Sequence, residues 1–114
     1  MDEQIHILAE KFYKSLYRIR RVEEEIARIY PTDKIKSPVH LSIGQEAISV
    51  GVCEALRPND TVFGTYRGHA TYLAKGGNLE KMIAELYGKS TGCSKGKGGS
   101  MHLIDVAKGV MGTS

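Results

Sequence analysis

The chain has 114 residues, 41% of them hydrophobic and 25% charged, with a formal net charge of +3. These are the proportions of one small globular unit and not of a disordered chain. No run of about 18 apolar residues occurs, which excludes a membrane-spanning helix. The acidic, already amphipathic first residues do not make a secretory signal, which needs a basic start and an apolar block. The cytoplasm is the expected compartment.

From Asp2 to Tyr30 apolar residues recur at Ile5, Leu8, Phe12, Leu16, Ile19, Val22, Ile26 and Ile29. That spacing of three and four predicts a long amphipathic helix, ended by Pro31. Its polar side, with Arg18, Arg20, Arg21 and Glu23-Glu24-Glu25, reads as a solvated or partner-facing surface. The apolar stripe is longer than one neighbouring helix can cover, so residues 1–30 are expected to pack against another subunit. After a polar linker over 31–39, Ser42 followed by Gln45 fits a capping box and predicts a helix running to about Leu56. Ile43, Ala47, Val50, Gly51 and Leu56 would form its packed stripe. Cys53 lies in this apolar pattern and fits a small core position.

Pro58-Asn59-Asp60 has turn chemistry, and Thr61-Val62-Phe63 reads as a short strand. Ala70 to Lys75 is predicted as a short helix stopped by Gly76-Gly77. Asn78 caps a second helix, Leu79 to Tyr87, with Met82, Ile83 and Leu86 inward and Gly88 as its stop. Residues 88–102 carry glycines and lysines with scarcely any apolar content and are expected to be a mobile loop. Cys93, within it, is expected to be a free thiol, and the two cysteines match no metal-ligand spacing. Gly88-Lys89-Ser90-Thr91 resembles the end of a P-loop, but Ile83 stands where the motif's first glycine belongs, so a P-loop is excluded. Lys89, Lys95 and Lys97 make a local basic loop, not the broad stripe of a nucleic-acid binder. Leu103-Ile104 and Val110-Met111 are apolar islands, and no terminal element is expected after them.

Between strand and helix lies Thr65-Tyr66-Arg67-Gly68-His69. Arg67 offers a planar fork of N–H donors that matches two phosphate oxygens. Gly68 lets the backbone approach a ligand closely, and a helix beginning there would aim free N–H groups at an anion. The stretch reads as a grip for a phosphorylated ligand. His69 lies in the following helix and is read as structural. His40, just before the Ser42 turn, reads either as a surface or capping histidine or as an acid/base group.

Five segments resemble the alpha subunit of thiamine-diphosphate-dependent 2-oxo acid dehydrogenases, the family of the pyruvate, branched-chain 2-oxo acid and acetoin enzymes. They are Arg20-Arg21-Val22-Glu23-Glu24, His40-Leu41-Ser42-Ile43-Gly44-Gln45-Glu46-Ala47, Tyr66-Arg67-Gly68-His69, Ala84-Glu85-Leu86-Tyr87-Gly88 and Gly96-Lys97-Gly98-Gly99-Ser100-Met101-His102. They occur in the family's order across nearly the whole chain. The resemblance implies an α/β thiamine-diphosphate-binding fold, of which residues 1–114 would be the N-terminal portion, mostly α-helical with one short strand.

It further implies that Tyr66 and Arg67 bind the cofactor's diphosphate and that His40 is catalytic and contacts the 2-oxo acid. Ser100 and His102 would order a loop near the active site. Magnesium would accompany the cofactor, its ligands lying outside this chain, because the family's Gly-Asp-Gly motif is missing. The partners implied are the remainder of the alpha subunit, a beta subunit, a lipoyl transacylase core that receives the acyl group, and the 2-oxo acid itself. Nucleic acid and membrane are not expected partners. Alone, the chain would not turn over substrate. The rival expectation is a truncated, non-catalytic module whose long helix docks on a partner subunit. A basic RNA-binding domain is the weakest alternative, since the aromatics do not cluster with the lysines.

Overall fold

A computed structural model describes residues 2–113. Helix α1 spans Glu3–Ile29. It starts where the Asp2 side chain accepts the Ile5 N–H at 3.0 Å, and a single turn of tighter helix over Tyr30–Thr32, carrying Pro31, ends it. Its C-terminal half is packed: Ile19 and Ile26 are buried, whereas Ile5, Ile7 and Leu8 near its start are exposed. Its polar side is not wholly solvated, because Glu23 is fully buried. Ile35, in the stretch read as a polar linker, also enters the core.

Helix α2, Glu46–Glu54, begins later than a capping box would place it. Gln45 makes no side-chain cap. Ser42 is buried and turns its hydroxyl to the Arg67 carbonyl at 3.5 Å. What sets this helix is Glu46, whose carboxylate accepts two N–H bonds from Arg20 of α1, at 2.7 and 3.1 Å, and one from the Gly44 amide at 3.0 Å. With Glu46 turned inward, only Val50 of the expected stripe is buried. Ile43, Ala47 and Gly51 instead face outward with Ile48, Val52 and Ala55.

Strand β1, Val62–Gly64, leads to α3, His69–Ala74, and then to α4, Leu79–Leu86. The Asn78 side chain accepts the Lys81 amide and caps α4. Short tight turns over Gly99–Met101 and Val106–Lys108 precede strand β2, Val110–Thr113, which pairs in parallel with β1. One strand was expected and two are found, because the island Val110-Met111 gains a partner only in three dimensions. Between β1 and β2 the connection carries α3 and α4, as a parallel pair requires. The core joins Ile19, Ile26, Val50, Tyr72, Leu73, Met82, Leu86, Leu103 and Val110. Both cysteines are free and half-buried, and burial pushes both thiols up.

The glycine- and lysine-rich segment is organised around one carboxylate. Glu85, on α4 and buried, accepts backbone N–H bonds from Ser94 and Gly96 on one oxygen (2.7 and 2.9 Å) and from Gly98 and Gly99 on the other (2.8 and 2.9 Å). Gly96 sits at φ +80°, and a Cβ there would lie 2.6 Å from the Gly88 carbonyl oxygen. The tight wrap around Glu85 therefore requires glycine at this position. Burial opposes ionisation of Glu85, but the four amides together outweigh it and hold the carboxyl below its ordinary value.

Candidate functional site

Two segments 26 residues apart in sequence meet in front of α3. The His40 ring stands edge-on to the Tyr66 ring, with centroids 4.7 Å apart and planes at 72°. Next to it, the Arg67 guanidinium donates to the Leu41 carbonyl, and the Arg67 amide donates to the Thr65 hydroxyl at 3.3 Å. The Ser42 hydroxyl returns a bond to the Arg67 carbonyl. Residues 40–42 and 65–67 are thus laced together through backbone carbonyls on both sides.

The chemistry of the corner follows from what is left uncommitted. Tyr66 is 49% exposed. Arg67 is half-buried, yet among the described residues no carboxylate pairs with it, while Arg20, Arg21 and Arg28 all hold glutamates. One N–H bond to Leu41 holds the fork, and its other donors have no hydrogen-bond partner among the described residues. A half-buried, uncompensated guanidinium beside a phenol and an imidazole is a donor set for an anion. Helix α3 has only six residues, so the helix-terminus contribution expected from the sequence is small and the donors the corner offers an anion are those of side chains. Among the described residues no group of three or more histidines, cysteines or carboxylates could hold a metal ion.

Ser100 and His102 take separate places. Ser100 is buried, and its Oγ lies 2.6 Å from Nε2 of His69, not beside Tyr66 and Arg67. His102 is exposed at the end of the turn that bears Ser100, with its carbonyl accepting the Ser94 hydroxyl at 2.9 Å. His69 is fully buried, in keeping with its structural reading. Missed from the sequence were the Leu41 carbonyl, Ser42 as a tie, Glu85 and Glu23. Glu23 did carry a signal, because it falls four residues after Ile19 and three before Ile26, on the stripe that is packed.

A model of the dehydrogenase E1 component family matches residues 14–114. The chain belongs to that family. Among curated relatives, the alpha subunit of the acetoin:2,6-dichlorophenolindophenol oxidoreductase of Bacillus subtilis (strain 168) is 42% identical over 102 residues, which are 90% of this chain and 31% of the relative. The pyruvate dehydrogenase E1 component subunit alpha of Rickettsia prowazekii (strain Madrid E) is 43% identical over 84% of this chain and 29% of its own length. The mitochondrial pyruvate dehydrogenase E1 component subunit alpha-1 of Oryza sativa subsp. japonica is 44% identical over 81% and 24%. The chain therefore spans no more than about a third of the E1 alpha subunits it matches. Within the family match fall all the residues of the corner, His40, Tyr66 and Arg67. The α-helical architecture with a small parallel sheet is that of an N-terminal segment of the thiamine-diphosphate-binding alpha-subunit fold.

Proposed function

We propose that this chain supplies the diphosphate grip and a substrate-facing histidine to a thiamine-diphosphate site that acts on a 2-oxo acid. The observation that carries the reading is Arg67, half-buried, fixed by the Leu41 carbonyl and unclaimed by any carboxylate among the described residues. When bound, thiamine diphosphate supplies the electron sink for loss of carbon dioxide from a 2-oxo acid. Arg67 binds the diphosphate oxygens with the N–H groups Leu41 leaves free, and the Tyr66 phenol adds a hydrogen bond. His40, held edge-on by Tyr66, presents an imidazole that can give a proton to, or share one with, the substrate oxo oxygen. Magnesium takes its ligands from outside these residues. The acetoin- and pyruvate-type names of the relatives favour a small 2-oxo acid or acetoin-type substrate, with a beta subunit and a lipoyl-bearing acceptor as partners.

The test is Arg67→Ala in the protein assembled with the chains that complete the site. Loss of a charge-assisted contact worth about 1.5–3 kcal/mol raises the dissociation constant for thiamine diphosphate by at least about tenfold. Dye reduction with pyruvate or acetoin falls in step when cofactor is limiting. Unchanged cofactor affinity in the variant would overturn the assignment.

A further inference from the structure

Apart from the anion grip, the most tightly built group of chemically capable side chains is Glu23, His69 and Ser100. They come from three separate places: the packed half of α1, the first residue of α3 and the turn over Gly99–Met101. His69 Nε2 is 2.6 Å from Ser100 Oγ, and His69 Nδ1 is 2.8 Å from Glu23 Oε1 and 3.1 Å from Oε2. The angles make Oε2 the acceptor and leave Oε1 without a hydrogen-bond donor among the described residues. Glu23 and His69 are 0% exposed and Ser100 is 1% exposed.

Hydroxyl, imidazole and carboxylate in that order are the parts of a nucleophilic triad. Sealed from solvent, the Ser100 hydroxyl has no route to a substrate, so the trio acts on the fold. A carboxylate only accepts, which places the His69 proton on Nδ1. In the neutral imidazole Nε2 is then bare and accepts the Ser100 O–H, so that each member fixes the next. Burying such groups costs free energy that apolar residues of the same volume would not. Geometry is what the trio offers in return. His69 follows Arg67 by two residues and Tyr66 by three, and Ser100 precedes His102 by two. The Ser100 amide is also tied to the Ser37 hydroxyl at 3.1 Å, three residues before His40.

We propose that Glu23, His69 and Ser100 form a positioning relay that locks the Tyr66–Arg67 corner and the 99–101 turn into one relation, presetting the anion grip before a ligand arrives. The effect on cofactor affinity rests on the diphosphate reading given above; the mechanical coupling does not. Ser100→Ala removes one hydroxyl, and Glu23→Gln keeps shape while removing the charge that selects the His69 tautomer. Both are studied in the assembled protein.

In Ser100→Ala, backbone amides at 66–70 and at 99–103 exchange about tenfold faster or more. A purely local packing role would speed only 99–103. The cofactor concentration for half-saturation rises about tenfold, with the loss falling there and not on kcat. Imidazole nitrogen NMR finds His69 protonated on Nδ1, a preference that Glu23→Gln abolishes. Unchanged exchange at 66–70 in Ser100→Ala overturns the relay, and so does an unaltered tautomer in Glu23→Gln. Affinity lost in Arg67→Ala but kept in Ser100→Ala overturns the presetting. If 66–70 loosens while neither Ser100→Ala nor Arg67→Ala moves the cofactor affinity, the relay stands and the diphosphate reading falls.

Discussion

Replacing Glu85 by Gln keeps the shape of the side chain and removes half of what the 94–99 loop is wrapped around. In the native chain each Glu85 oxygen accepts two backbone N–H groups. The glutamine carbonyl can still accept two, but its NH2 would then point donors at two donors. Two lost bonds to a charged acceptor, at about 1.5–3 kcal/mol each, set the cost at roughly 3–6 kcal/mol. Local opening of the loop lets the orphaned amides reach water, so the lower end, about 3 kcal/mol, is expected. For a chain of this size that corresponds to a fall in Tm of about 10 °C or more at neutral pH.

The pH dependence provides a second arm. The folded-state carboxyl of Glu85 lies below its ordinary 4.5, so its stabilisation is complete above that value. It is lost as pH falls through the folded-state value. Native and Glu85→Gln proteins should therefore differ fully above 4.5 and converge as pH falls from there through the lower folded-state value. Thermal melts across pH, with amide exchange of Ser94, Gly96, Gly98 and Gly99, measure both arms. A Tm difference under about 2 °C at pH 7 with unchanged exchange at those four amides would refute the anchoring role.

Glu46, held down to about 2 chiefly by the hydrogen bonds from Arg20, contributes stability that is whole above about 4.5 and is lost as pH falls through 2. Glu46→Gln should flatten that acid limb in a pH series of urea melts. Gly77→Ala should cost about 1–3 kcal/mol. The new Cβ would lie 2.5 Å from a carbon of the buried Tyr72 ring, which the Asn78 carbonyl pins through its hydroxyl at 2.7 Å. Denaturant titration would show the midpoint fall with little change of slope. Asn78→Ala removes the cap of α4, and a loss of about 1 kcal/mol should appear in the same titration. Arg67→Lys keeps the charge but not the planar fork, so thiamine diphosphate affinity should lie between those of native protein and Arg67→Ala in calorimetric titration.

The elements that the sequence foretold are those whose signals are local. The regular stripe and Pro31 mark α1, Asn78 and Gly88 bracket α4, and Val62-Phe63 makes β1, because neighbouring residues alone decide these. Helix α2 was placed too early because Ser42 satisfies a distant carbonyl, that of Arg67, and Glu46 answers Arg20 across 26 residues of chain. Strand β2 exists only against β1. Likewise, nothing near Glu85 announces that four amides up to 14 positions downstream will close on it. Of the corner, Tyr66 and Arg67 drew the reading of an anion grip from their own chemistry, a reading that remains the proposal made above. His40 joined them only through family resemblance, and the ring contact with Tyr66 is a tertiary fact.

β1 and β2 make a two-stranded sheet, and Val110 of β2 also exchanges both of its main-chain hydrogen bonds with Asp105, so among the described residues the unpaired margin is that of β1. Phe63, 74% exposed, stands on β1. An unpaired strand margin of this kind presents N–H and C=O groups along which an incoming strand can extend the sheet by main-chain bonding.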